Sequence, residues 1–155
     1  MTAIGGNGLP AQLPLRSLHR TQWHSQPEAG TVEQLLLHLI GDYVTQTDWM
    51  ARSKASTTFP ALCHAVVYSL PFLLLSPSLA AIVVIAVSHF LIDRFRLARH
   101  LAFAKNKLTG WHLRWEDCRT TGYPPEVPLA NAFWLMILLD NTMHLAINYA
   151  ALRWL

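Results

Sequence analysis

The chain has 155 residues, 52% of them hydrophobic and only 14% charged, with a formal net charge of +3 and a mean hydropathy of +0.25. Soluble domains usually carry about a quarter charged residues, so the composition points to a small membrane protein with polar ends, and the modest positive charge gives no ground for a nucleic-acid partner. Two cysteines, Cys63 and Cys118, provide neither a disulfide framework nor a CxxC metal spacing.

Residues 1–30 are rich in Gly, Pro and Gln, lack apolar periodicity and read as a flexible leader. Arg16 and Arg20 are not followed by a continuous apolar run, so a cleaved signal peptide is not expected. Residues 31–155 read as the helical membrane domain, an all-α, four-helix integral membrane bundle. The first helix is expected over 31–51, with Gly30 or Thr31 as its cap, Glu33 in its first turn, and an apolar surface from Leu35, Leu36, Leu39, Ile40 and Tyr43. It is polar for a single span. The second covers 58–75, where Cys63 reads as a small core residue and Pro71 should kink or shorten the helix. Ser76-Pro77-Ser78 then makes a tight hairpin into a third helix over about 78–105. The fourth covers 128–154, long enough to span. The second helix and the apolar part of the third fall short of about 20 residues, so pairing and local thinning of the bilayer have to compensate. A soluble four-helix bundle is the competing architecture.

Nine of the twelve Lys and Arg residues fall on one side of such a bundle. Arg52 and Lys54 follow the first helix, and Arg94, Arg96, Arg99, Lys105, Lys107, Arg114 and Arg119 follow the apolar part of the third. That side is expected to be cytoplasmic, in a bacterial inner membrane, with both chain termini outside. Residues 106–127 form the long cytoplasmic loop, with Trp111, Trp115 and Tyr123 at the membrane interface and Gly110 and Gly122 as its glycines. His112 and Glu116 in this loop read as a solvated pair.

Within the apolar stretches, three His/Asp pairs lie four residues apart: His38 with Asp42, His89 with Asp93, and Asp140 with His144. Residues at i and i+4 share a helix face. With five Asp and eight His in the chain, chance yields roughly half such a pair. A fourth histidine, His64, lies in the second helix. At 1.5 Å per residue, Asp42 and His38 lie about 12 and 18 Å from the helix end at Met50, and Asp93 and His89 about 10 and 16 Å from His100. Asp140 and His144 lie about 16 and 22 Å from Leu129, and His64 about 8–9 Å from Thr58. Seven polar groups can therefore share one layer.

Ionisable groups in apolar surroundings are costly unless they serve one another or a ligand. Imidazole and carboxylate suit Zn, Mn or Fe, and four His with three Asp exceed a single tetrahedral site, so one or two ions are expected. A two-metal centre lowers the pKa of a bound water and clamps the oxygens of a phosphoester. The sequence-based function is thus a metal-dependent intramembrane hydrolase, reached from the cytoplasmic side and acting on a lipid-linked or phosphorylated substrate. Gln46 and Asn148 extend two of the faces as hydrogen-bonding support, Asn141 serves helix contacts, and Asp48 follows near the membrane surface. Arg94, Arg96 and Arg99 follow Asp93 directly; they serve as positive-inside anchors, or Arg94 or another of them greets a phosphate at the mouth. Two alternatives use the same residues: a proton or ion relay or transport protein, which four helices could line only as an oligomer or with a wide interior, and a membrane interaction protein whose pairs only lock helices together.

The segments LLLHLIGDYVTQTDWMA, ALCHAVVYSLPF, SHFLIDRFRLARH, TGYPP and DNTMH, over about 33–150, resemble an uncharacterised group of small membrane proteins of bacteria and phages, classed as a domain of unknown function. The resemblance implies a multi-helix integral membrane protein and no established activity. Its motif positions fall on His38, Asp42, Gln46, Asp48, His64, His89, Asp93, Asp140 and His144. A looser likeness, without shared motif strings, is to inner-membrane hydrolases that bind metal through His and Asp on helices.

Overall fold

The computed structural model describes residues 31–76, 78–109 and 112–155. The leader 1–30 with Arg16 and Arg20, Pro77 of the hairpin, and Gly110 and Trp111 of the long loop lie outside the described residues. Among the described residues the chain is all-helical and contains no strand.

The expected first helix is broken in two. Helix α1, Thr31–Leu39, runs into a π-helical turn, Ile40–Val44, in which Thr45 N donates to Ile40 O across five residues. Thr47 then leaves the helical region, and its hydroxyl accepts from Met50 N to cap α2, Asp48–Ser53. Helix α3 covers Thr58–Ser69 and tightens into a 3₁₀ segment, Leu70–Leu74, where Pro71 removes a backbone donor as expected.

The third helix also divides, at a point with no Gly or Pro to announce it. Helix α4, Leu79–Phe95, ends at Arg96, whose backbone is left-handed at φ 51° and whose N–H caps the carbonyls of Ile92 and Asp93. Helix α5, Leu97–Thr109, leaves in a new direction and packs on α7. Two side chains anchor the new course: Arg96 donates to Thr120 O and Arg99 to Arg119 O. Helix α6, Trp115–Cys118, lies within the segment that the sequence presents as one long loop. Helix α7, Leu129–Trp154, starts after Pro128 as expected.

Four segments close into a ring. Helix α1 packs on α7, α7 on α4, α4 on α3, and α3 on the π-turn that continues α1. One apolar cluster, with Leu37, Phe72, Ile85 and Ala151, fills the end near the hairpin, and a smaller one, with Ala102, Tyr123 and Ala132, fills the other. The His/Asp groups lie between them.

The radial pattern is inverted relative to a water-soluble bundle. Many buried positions are small or polar: Ala61, His64 and Ala65 on α3, Ala81, His89 and Asp93 on α4, His144 and Asn148 on α7. Large apolar side chains face outward, among them Leu62 and Val66, Val83 and Val87, Trp134 and Leu138. No helix among the described residues is long and apolar enough to cross a membrane.

Several local expectations are corrected. Tyr123 is buried against Ala102 and Ala132 rather than held at an interface, and Trp115 stacks on His100 at 4.6 Å, with the Arg99 guanidinium over its ring. Cys63 is only half-buried, because it sits one position off the buried stripe of α3, whereas Cys118 is buried. Gly122 makes the fold-back of this segment feasible. Its φ is +80°, and a Cβ there would collide with Arg99 O, the Ala102 side chain and Phe103 N. Gly122→Ala is therefore expected to cost more than about 1 kcal/mol, read as a lowered denaturation midpoint; an unchanged midpoint would mean that the segment does not pack this closely on α5.

Candidate metal centre

The His/Asp groups are spread around the ring. The π-turn supplies Asp42, α3 supplies His64, α4 supplies His89 and Asp93, and α7 supplies Asp140 and His144. All are buried except Asp140, whose side chain is 30% exposed.

Four of them face a common point. His64 Nε2 and His89 Nε2 are 3.0 Å apart. His64 Nε2 lies 3.3 Å from both Asp42 Oδ1 and Asp93 Oδ2, and His89 Nε2 lies 3.4 and 3.1 Å from the same two oxygens. Ligands about 2.0–2.1 Å from a tetrahedral ion are separated by about 3.3–3.4 Å along each edge. Three of the five edges match a tetrahedral N₂O₂ cage, and the two others, at 3.0 and 3.1 Å, are slightly shorter. Asp42 Oδ1 and Asp93 Oδ2 have no hydrogen-bond partner although both are buried, and two imidazole nitrogens point at each other. Such an arrangement is expensive unless a cation completes it.

The second set shares a residue with the first. Asp93 turns its other oxygen, Oδ1, to within 3.5 Å of His144 Nε2, which lies 3.5 Å from Asp140 Oδ2. Asp93, Asp140 and His144 could hold an ion, as could Asp42, His64, His89 and Asp93. The carboxylate of Asp93 belongs to both. His144 Nε2 is buried without a hydrogen-bond partner. Three protein ligands with one side open is the arrangement of catalytic metal sites, whereas four ligands close a site.

The sequence brings seven residues to the layer, and the structure places six in the two ligand sets. His38 is the exception. Its Nδ1 is 3.6 Å from Asp42 Oδ2, but both ring nitrogens are engaged elsewhere, Nδ1 with Tyr68 Oη at 2.8 Å and Nε2 with Asn141 Oδ1 at 3.1 Å. The π-turn begins between His38 and Asp42, so the two no longer stack as they would on a regular α-helix. The bonds fix a direction. Asn148 Nδ2 donates to Tyr68 Oη at 2.6 Å, Tyr68 donates to His38 Nδ1, His38 Nε2–H donates to Asn141 Oδ1, and Asn141 Nδ2 donates to Tyr43 Oη at 3.3 Å. Tyr68 also stacks on His89 with ring centroids 3.6 Å apart, which holds that imidazole in place.

Among the supporting residues, Asn148 serves as expected, through Tyr68. Gln46 is half-buried with its Oε1 unpartnered. Asp48 is exposed and pairs with Arg52 at 2.7 Å, away from the ligand sets, because the helix restarts there. Arg94 donates to Ala55 O and does not line the cavity beside the site.

Three contributors escape a search for His/Asp pairs. Tyr68 follows His64 by four residues and could have been found by the same spacing. Gly41 admits the Tyr68 ring, since a Cβ there would lie 2.5 Å from Tyr68 Cδ2. Lys54, read only as a topology charge, places its ammonium 2.8 Å from Asp93 Oδ2, as an ion pair out of hydrogen-bond alignment, and 3.3 Å from His64 Nε2. It stands where it neutralises the cage in the absence of an ion.

A cavity of ≈ 190 Å³ opens beside the second set, with Asp93 and Asp140 in its wall together with Lys54, Arg96 and Arg99. Burial and, after it, the neighbouring Arg96 guanidinium lower the pKa of Arg99 from its usual value.

This is a helical bundle with a polar, potentially metal-binding interior. The chain belongs to the family described as "Protein of unknown function (DUF3307)", whose model matches residues 31–118. The match contains the whole first ligand set and Lys54, while Asp140 and His144 lie beyond it, as do the TGYPP and DNTMH segments. No curated protein and no solved structure matches the chain.

Lys54 and an ion compete for the same carboxylate. Lys54→Gln is expected to bind Zn²⁺ or Mn²⁺ about tenfold more tightly than the unaltered protein, from the usual strength of a charged hydrogen bond, in a competition assay with a chelating dye. Weaker binding in the variant would mean that the ammonium supports the site instead.

Proposed function

We propose that this protein is a metal-dependent hydrolase embedded in a bilayer, acting from the cytoplasmic side on a lipid-linked or phosphorylated substrate. The observation that carries this reading is the pair of ligand sets joined through Asp93, one closed and one open on a cavity. His64, His89, Asp42 and Asp93 would hold one ion, and Asp93, Asp140 and His144 the other; the nitrogen and oxygen donors suit Zn, Mn or Fe. Held there, a pair of ions would supply water activation and charge neutralisation on a phosphoester. The chain's own residues do the rest. Tyr68 fixes His89 by stacking, and the directed bonds from Asn148 to Asn141 hold His38 and Tyr68 against the ligands. Lys54, 2.8 Å from Asp93 Oδ2, is the cation that an ion held there would displace.

The bilayer placement is supported by the inverted surface, since an apolar exterior around a polar interior suits lipid better than water. Helix α7, with 26 residues, is about 39 Å long, more than the roughly 30 Å of hydrocarbon. Its mean hydropathy is lowered by Asp140, Asn141, His144 and Asn148, of which His144 and Asn148 are fully buried. Helix α4, with 17 residues, is about 25 Å long and would rely on tilt, pairing or local thinning. In the proposed orientation α2, α5 and residues 106–127 lie on the cytoplasmic side of a bacterial inner membrane, following the distribution of Lys and Arg.

The hydrogen-bond series favours a second reading, a proton relay. It leads from buried Tyr68 to Tyr43, which is 59% exposed. Metal analysis separates the readings. The hydrolase is expected to retain one or two transition-metal ions per chain. Asp93→Asn should lose both, His64→Ala the closed site alone, and His144→Ala the open site alone. A folded protein that takes up no metal on titration would remove the enzyme reading and leave the relay or a purely structural role.

A further inference from the structure

The cavity beside the open ligand set carries an unusual concentration of cations. Lys54, at the end of α2, and Arg96 and Arg99, at the junction of α4 and α5, share its wall with Asp93 and Asp140. Three observations indicate that the cations are placed rather than scattered. Arg96 caps α4 with a left-handed backbone at φ 51°, so its place is fixed by the helix end. Arg99 keeps its Nε buried without an acceptor while its Nη1 is held by Arg119 O. Arg96 Nη2 is held by Thr120 O. Each guanidinium is thus fixed by a backbone carbonyl at the surface and retains further donors. The carboxylates of the wall pair with Lys54 and His144 rather than with the arginines, so the Arg96 and Arg99 guanidinium groups repel each other unless an anion joins them. The remaining wall is apolar, with Ile92, Met136 and Ile137.

Resting on the metal reading above, we propose that this cavity is a phosphoryl subsite in which Arg96 and Arg99, with Lys54, hold the phosphate oxygens of the substrate next to Asp93 and Asp140. Guanidinium groups match phosphate oxygens with paired donors, whereas an ammonium acts as a point charge. The group held is a phosphate monoester or diester, carried either by a lipid headgroup or by a soluble molecule.

The test uses the full chain in neutral detergent micelles, with metal content read on every sample. Equilibrium dialysis with inorganic phosphate at metal saturation is expected to give one phosphate per chain. Arg96→Gln and Arg99→Gln should each weaken that binding at least about tenfold, the usual effect of losing a charged hydrogen bond, with metal content unchanged. Lys105→Gln, whose parent side chain sits over Tyr123 outside the cavity, should bind like the unaltered protein. Because Arg96 and Arg99 also anchor residues 119 and 120, Arg99→Lys supplies a variant that keeps the charge and loses the paired donors. It is expected to bind several-fold more weakly in samples whose metal content and helix content match the parent's.

Micelles doped with phosphatidic acid, against phosphatidylcholine alone, separate the sources. Competition with inorganic phosphate by the doped micelles assigns the group to a lipid, and its absence to a soluble molecule. Metal-loaded protein that binds no phosphate, or an Arg96→Gln/Arg99→Gln double variant that binds as well as the parent, would overturn the subsite and leave the metal reading intact. Failure to take up metal would overturn that underlying reading, and the subsite with it.

Discussion

The carboxylate of Asp93 is the point on which the interior depends. One of its oxygens faces His64, His89 and the Lys54 ammonium, and the other faces His144. A carboxylate has acceptor capacity on both oxygens, and here the two directions are given to two different sets of partners. Removing that charge leaves His64, His89 and His144 without their common acceptor, and each is fully buried. Charges and donors buried in this way are tolerated when they compensate one another. The three helices α3, α4 and α7 are therefore tied together by electrostatic need as much as by apolar contact.

That need explains the small residues around it. Imidazole and carboxylate side chains meeting across a bundle require close helices, and Ala61, Ala65, Ala81 and Ala151 line the buried faces. Bulky apolar residues such as Phe72 and Ile85 fill the end of the bundle near the hairpin, while many others appear outside. The two apolar clusters at the ends of the bundle close the polar layer above and below, which lowers the local dielectric and strengthens every interaction within it.

Much of this was legible in the sequence because it rests on helical periodicity. The spacing of four in His89/Asp93 and Asp140/His144 places each pair on one face, and the depth of each pair along its helix predicts their meeting. The start of α7 after Pro128 and the shortening at Pro71 follow from proline chemistry. The features that escaped depend on tertiary contact. The break at Arg96 carries no Gly or Pro, and is fixed instead by bonds to the distant carbonyls of Thr120 and Arg119. The π-turn has no compositional mark. Lys54 lies far from Asp93 in sequence, so only the folded chain reveals that it belongs to the ligand cage. Arg94, nearest in sequence to Asp93, was the natural choice for a phosphate contact, yet its position on α4 sends it to Ala55 O on the outside. The change of course at Arg96 gives the cavity to Arg96 and Arg99 instead.

The π-turn at Ile40–Val44 sets the division of labour along the first segment. An added residue in a helical ladder rotates the residues after it by about 100° relative to those before it, the angle one residue subtends on a helix. On a regular helix Gln34, His38 and Asp42 would form a single stripe and serve one neighbour. With the insertion, Gln34 and His38 address α7, through Leu145 O and Asn141, while Asp42 addresses His64 and His89 on α3 and α4. One strand of chain thus answers to two networks that a uniform helix could not satisfy together. Irregular backbone here is what lets a bundle of few helices assemble a site with so many donors.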